Sequence, residues 1–173
     1  GRPGPAGWLD PGGVCFLLIA VAIVVYWGSG TERFYNHFVW QAAAFLKGSA
    51  AIDYPVGPTA TNPGNAWFQD VLPLYDAAGQ LSGKGILPFP PLPAVVLLPF
   101  VAVFGLAFDE RILSVILGGL DVGLAYWMLG RLQVGPLART LTAVFFGFGT
   151  VLWYAAQLGT TWFFAHVVAL LAL

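Results

Sequence analysis

The apolar positions of this chain fall into long runs, parted by a mostly non-spanning stretch between Thr31 and Arg111 that holds most of the charge. Val14 to Trp27 holds no charged or strongly polar side chain and ends in Tyr26-Trp27, an aromatic pair suited to a membrane interface. That pattern predicts a first span over residues 13–28. Residues 112–130 and 140–158 predict two further spans, and a fourth begins at 162 and runs onward from 173. Residues 1–12, rich in proline and glycine, read as a flexible lead-in.

That stretch divides into parts. From residue 32 to 47, Phe34, Phe38, Ala42 and Phe45 recur at helical spacing, with Glu32, Tyr35 and Asn36 on a neighbouring face. This predicts an amphipathic helix lying in the interface and ended by Gly48. Residues 49–85, punctuated by Pro55, Pro58, Pro63 and Pro73, read as loop, with a short extended piece around Trp67 to Leu72. Residues 90–107 carry no charge, yet Pro90, Pro91 and Pro93 oppose helix at their start and Pro99 interrupts them. Unbroken helix is then at most about ten residues on either side of Pro99, against roughly 20 for a crossing.

Charge decides the topology. If residues 90–107 crossed the membrane from an internal N-terminus, Arg131 and Arg139 would lie outside beside Arg33, Lys47 and Lys84, against the positive-inside tendency. If they lie in the interface, Arg2, Arg131 and Arg139 are all internal. The second arrangement is the one expected: an all-α polytopic membrane helix bundle whose long external first loop, residues 29–110, carries two interfacial helices. It also puts Gly159 to Trp162 outside, so that two remote parts of the chain can meet at one external face.

Composition sharpens this picture only in places. The 173 residues are 58% hydrophobic and 9% charged, and the mean hydropathy is +0.79. Soluble chains carry about 25% charged residues, so an integral membrane protein is expected. A net charge of −1 gives no basic face for nucleic acid. Cys15, the single cysteine, excludes an intrachain disulfide and a thiolate metal site. No small-x-small cleavage site follows Trp27, so the first run reads as a retained span and not a signal peptide. Opening on Gly1 and ending inside an apolar run, the chain reads as the N-terminal part of a single, longer transmembrane domain.

Candidate chemistry is sparse. Glu32 follows span one, where an acid can also serve simply as a dipole-favouring helix starter. Asp109, Glu110 and Arg111 precede span two as a charged collar. Asp121 is an acid inside a span, which is costly and usually faces a bundle interior or cavity. His37 and His166 are the two histidines, without carboxylate or thiol at ligand spacing. Lys84, between two glycines, reads as a loop cation suited to an anionic headgroup or phosphate. No phosphate-loop, dinucleotide or nucleophile-elbow motif is present.

Glu32, Phe34, Tyr35 and Gly48, followed by Pro90-Pro91-Leu92, Phe104-Gly105 and Arg111, resemble in order and spacing the N-terminal part of the GT-C superfamily. These are polytopic glycosyltransferases that use lipid-linked sugars; the nearest branch is that of bacterial aminoarabinose transferases and protein O-mannosyltransferases. The resemblance spans residues 13–173. Relatives often carry an Asp-Glu pair where this chain has Thr31-Glu32, a lysine where Phe89 precedes Pro-Pro, and a second acid where Ala165-His166 stands.

The resemblance implies transfer of a sugar from a polyprenyl-phosphate donor to a lipid, glycan or protein acceptor at the external face of a bacterial plasma membrane. Glu32 would be the general base. Arg111 and Lys84 would stabilise the phosphate leaving group, and His37, Asn36 and His166 complete the expected substrate-binding set. No cofactor is implied with certainty, and a divalent cation is left open. Two other classes compete: a transporter with Asp121 and His166 lining a pathway, and an assembly subunit packing through Gly118, Gly119 and Gly123.

Overall fold

The computed structural model describes residues 10–30, 36–53 and 70–173. Its elements are α1 (Pro11–Ser29), α2 (His37–Leu46), β1 (Ile52–Asp53), β2 (Leu72–Tyr75), β3 (Leu81–Ile86), α3 (Leu92–Phe104), a 3-10 turn (Gly105–Ala107), α4 (Glu110–Arg131), α5 (Pro136–Phe148), α6 (Val151–Leu158) and α7 (Thr161–Ala172). They form two compact units. Unit one takes residues 1–32, 111–159 and 166–173, and unit two takes 33–110 and 160–165.

In unit one, α1 starts at Pro11 because Asp10 caps it, its Oδ1 accepting from the Gly13 N–H at 2.6 Å with proline at the first helical position. Only Leu18, Ala22 and Tyr26 of α1 are buried, a seam at four-residue spacing, while Phe16 and Val24 stay exposed. α4 meets that seam with glycines. A Cβ placed on Gly119 would lie 2.6 Å from Ile23 Cγ1, and one on Gly123 would lie 2.5 Å from the Ile19 side chain. The small-residue stripe is thus used up by packing inside this chain.

The expected unbroken span over 140–158 is instead two helices, α5 and α6, meeting at 52°. Gly149 and Thr150 make the break. The Thr150 hydroxyl donates back to Phe146 O at 2.6 Å and accepts from Leu152 N–H at 3.2 Å, so it caps α6 instead of continuing α5. The Tyr26 hydroxyl donates to Gly147 O at 2.7 Å. Among the described residues two helices, α1 and α4, are long and apolar enough to cross a membrane, and α5 with α6 makes a third if the bent pair counts as one. The expected fourth span opens as the apolar helix α7, Thr161–Ala172.

Unit two is built on α2, which buries Phe38, Val39, Ala42 and Ala44, and ends where Gly48 takes φ +70°. The reading of residues 49–85 as loop is corrected: β1, β3 and β2 form an antiparallel sheet in that order. Ile52 pairs with Gly85, Asp53 with Lys84 and Leu72 with Ile86. Asp76 turns the β2–β3 hairpin, its Oδ1 accepting from the Ala78 and Gln80 N–H groups. Ile52, Val71, Leu87 and Ala44 form the core between sheet and α2, with Trp40 and Phe89 packed against it.

α3 also differs from expectation at one point: the helix runs through Pro99. Pro99 is exposed, as is Val95 four residues before it, so the carbonyl that loses its N–H partner lies on the open side. At 13 residues α3 is about 20 Å long, short of the ~30 Å hydrocarbon core. It packs along α2.

Candidate functional site

Two ends of α2 carry the candidate chemistry of unit two. At the first end His37, fully buried, begins the helix, and its backbone N–H donates to Thr161 Oγ1 at 3.2 Å. Its ring stacks on Phe89 at 6.4 Å and meets Trp162 edge-on at 6.5 Å. Phe38 beside it touches Phe89 and Phe164. The start of the last helix and the start of α2 are therefore packed together inside one unit. Asn36 is the half-buried residue before the helix; its carbonyl accepts from the Val39 and Trp40 N–H groups, and its side chain makes no cap bond.

Gln41 follows His37 by one turn on the same face and is also buried. Thr160, Thr161 and Glu110 complete the buried polar side chains of unit two among the described residues. Sequence reasoning passed over Gln41 and treated Glu110 as an interfacial collar. The available signal was the spacing: an amide four residues after a histidine, in a segment otherwise alanine and aromatic.

At the other end of α2, Lys84 lies on β3 and not in a mobile loop. Its Nζ is 4.0 Å from Asp53, whose other oxygen takes the Lys47 ammonium at 3.0 Å. Lys47 follows the helix that His37 opens, so this cluster is about 15 Å along α2 from His37. A small, open hollow beside it is lined by Trp40, Ala43, Ala44, Lys47, Asp53 and Leu106. The hydrogen bond and charge of Lys47 hold the Asp53 carboxyl below its ordinary value. That contribution is present above the ordinary carboxylate range and fades as pH falls through it. Lys47→Met is expected to raise the Asp53 titration midpoint, measured by side-chain carboxyl NMR, with little change in stability because the pair is solvent-exposed.

Arg111 belongs to unit one and is held by main chain. Its Nε donates to Gln157 O at 3.0 Å, its Nη2 donates to Trp27 O at 2.6 Å, and the guanidinium lies 4.9 Å from the Trp27 ring centroid. It therefore draws together the C-terminal ends of α1 and α6, where carbonyls lack helical partners and the dipole favours a cation. His166 is exposed on α7. Asp121 is buried on α4, on the stripe that also holds Ser114 and Gly118. Neither oxygen of its carboxylate has a hydrogen-bond partner among the described residues.

Glu32, with Arg33, Phe34 and Tyr35, lies outside the described residues. Among the described residues, no three His, Cys, Asp or Glu side chains gather as a metal ion would require. No family model, curated protein or solved structure matches the chain.

Proposed function

We propose that this chain forms part of a membrane glycosyltransferase that moves a sugar from a polyprenyl-phosphate donor to an acceptor at the external membrane face. The observation that carries the reading is the hydrogen bond from His37 N–H to Thr161 Oγ1, with the ring contacts around it. A site of this kind needs the segment after span one and the start of the last helix at one place, and these residues are 124 apart in sequence.

In this reading Glu32, five positions before His37, takes a proton from the acceptor hydroxyl or amine as that group attacks the anomeric carbon. The bond from that carbon to the phosphate oxygen breaks, and the phosphate leaves with its lipid. Cations stabilise the leaving group; within unit two Lys84, together with Lys47, is assigned that task. Asn36 and His37 are assigned to substrate binding. The exposed apolar side chains of α3, among them Val95, Val103 and Phe104, suit the acyl region beside an interfacial site.

The test is transfer from a radiolabelled polyprenyl-phosphate sugar in reconstituted membranes. Glu32→Gln is expected to stop transfer at unchanged expression; turnover equal to wild type removes Glu32 from the role. The buried, unpartnered Asp121 favours a second reading, a transporter. Solute flux through proteoliposomes without any sugar transfer would decide for it.

A further inference from the structure

The turn between α4 and α5, within unit one, holds two cations that the proposed reaction does not use. Arg131, the last residue of α4, lies over the Trp127 ring with its guanidinium carbon 4.5 Å from the centroid, and Arg139 lies over the Tyr126 ring at 3.7 Å. Arg139 also fills the space where a Cβ on Gly130 would stand. Both guanidinia therefore flank the last turn of α4, on neighbouring rings. The chain brings Arg139 back there by turning through Gln133, at φ +59°, and Gly135-Pro136.

Stacking engages the flat face of a guanidinium and leaves its N–H edge for acceptors lying in its plane. No carboxylate of the described residues comes within ion-pair reach of either edge. Nε of Arg139 is enclosed without an acceptor, so its Nη groups are the ones left to bind. α1 runs antiparallel to α4, with Cys15 against Gly123 and Ile23 against Gly119, so Asp10 is at this end too. Its carboxylate is engaged by the Gly13 N–H of its own helix. The first turn of α5 carries no acid, so the positive end of that helix adds to the field of the arginines.

The surroundings decide which anion fits. Leu132 is 68% exposed and Leu137 74%, one on each side of the turn, and Trp127, Met128 and Leu141 are exposed on the helices behind them. A free phosphate, or a polyanion without hydrocarbon, would leave both leucines in water at about 25 cal/mol for each Å² of apolar surface. A phospholipid brings phosphate oxygens to the guanidinium edges and acyl chains to the leucines, and indole and phenol rings suit the depth between the two. A choline headgroup carries its own cation beside the phosphate. Net charge therefore selects an anionic lipid.

We propose that the α4–α5 turn is a binding site for anionic phospholipid, with Arg131 and Arg139 on headgroup phosphate and Leu132 and Leu137 against the acyl chains. The site is independent of the glycosyltransferase reading, and it anchors this end of unit one at the headgroup layer.

The experiment titrates the delipidated full chain in detergent with phosphatidylglycerol and with phosphatidylcholine of the same acyl chains, and counts bound lipid by native mass spectrometry. Phosphatidylglycerol is expected to bind saturably and about twentyfold more tightly than phosphatidylcholine, the preference that two cations at a membrane surface supply. Arg131→Gln changes an exposed side chain and is expected to cut the preference about fivefold at an unchanged unfolding temperature. Arg131→Gln with Arg139→Gln is expected to abolish it. Equal affinity for the two lipids in wild type overturns the proposal, and so does a full preference retained in Arg131→Gln. Displacement of bound phosphatidylglycerol by millimolar inorganic phosphate overturns it as well, since the arginines would then form a simple anion site in which the leucines and acyl chains play no part.

Discussion

Gly118→Leu is expected to destroy the packed bundle of unit one, whereas Gly118→Ala weakens it in part. A Cβ on Gly118 would stand 2.5 Å from the Ala156 Cβ and 3.3 Å from the Tyr26 ring. Carbon atoms in contact sit at about 3.5–4.0 Å. A long flexible side chain could swing away, but the Ala156 Cβ is fixed to the α6 backbone, so whole helices must part by an ångström or more. Overpacking of this kind costs about 1–3 kcal/mol. Alanine should fall in that range, and leucine, with three more carbons, above it. Thermal unfolding of the detergent-solubilised protein checks this; a midpoint for Gly118→Leu within a degree of wild type would show that α4 does not approach α6 as described.

The second large effect is at Arg111. Removing the guanidinium in Arg111→Ala takes hydrogen bonds from Trp27 O and Gln157 O and the stacking on Trp27. Hydrogen bonds to a charged donor are worth about 1.5–3 kcal/mol when buried. Because this site is partly solvated, about 2–3 kcal/mol is expected for the whole change. Arg111→Lys should recover less than half, since an ammonium lacks the planar fork that reaches two carbonyls at once. The loss is expected without substrate present. A variant of wild-type stability but reduced donor affinity would return Arg111 to a purely substrate-binding role.

These two sites also show what the sequence reveals and what it hides. The apolar runs that become α1 and α4 were plain, because an apolar helix of crossing length has one dominant physical cause. Gly48 was readable as a helix stop for the same local reason, its positive φ. The break at Gly149-Thr150 was not read, since hydropathy averages over it. Yet Gly147, Gly149 and a threonine able to cap are a stop signal once helix ends are considered.

The sheet escaped because its strands are poor by propensity, with Pro73, Gly83 and Gly85 inside them. Pro73 is tolerated because β2 is an edge strand. Asp76 to Gly79, with Gly79 at φ +74°, was the overlooked hairpin turn. Lys84 was misplaced with the sheet, because its neighbour Asp53 is 31 positions away and only strand pairing brings them together. Arg111 was singled out for its charge, but its main-chain partners at Trp27 and Gln157 follow from tertiary packing that no local pattern encodes.

The hydroxyl of Tyr26 ties the bend between α5 and α6 to a different helix. Where the ladder of α5 runs out, the carbonyl of buried Gly147 would otherwise lack a donor, and the phenol from α1 supplies one. The kink is therefore a joint property of two segments that are synthesised far apart. A bent pair built this way depends on α1 lying beside it to hold its final angle.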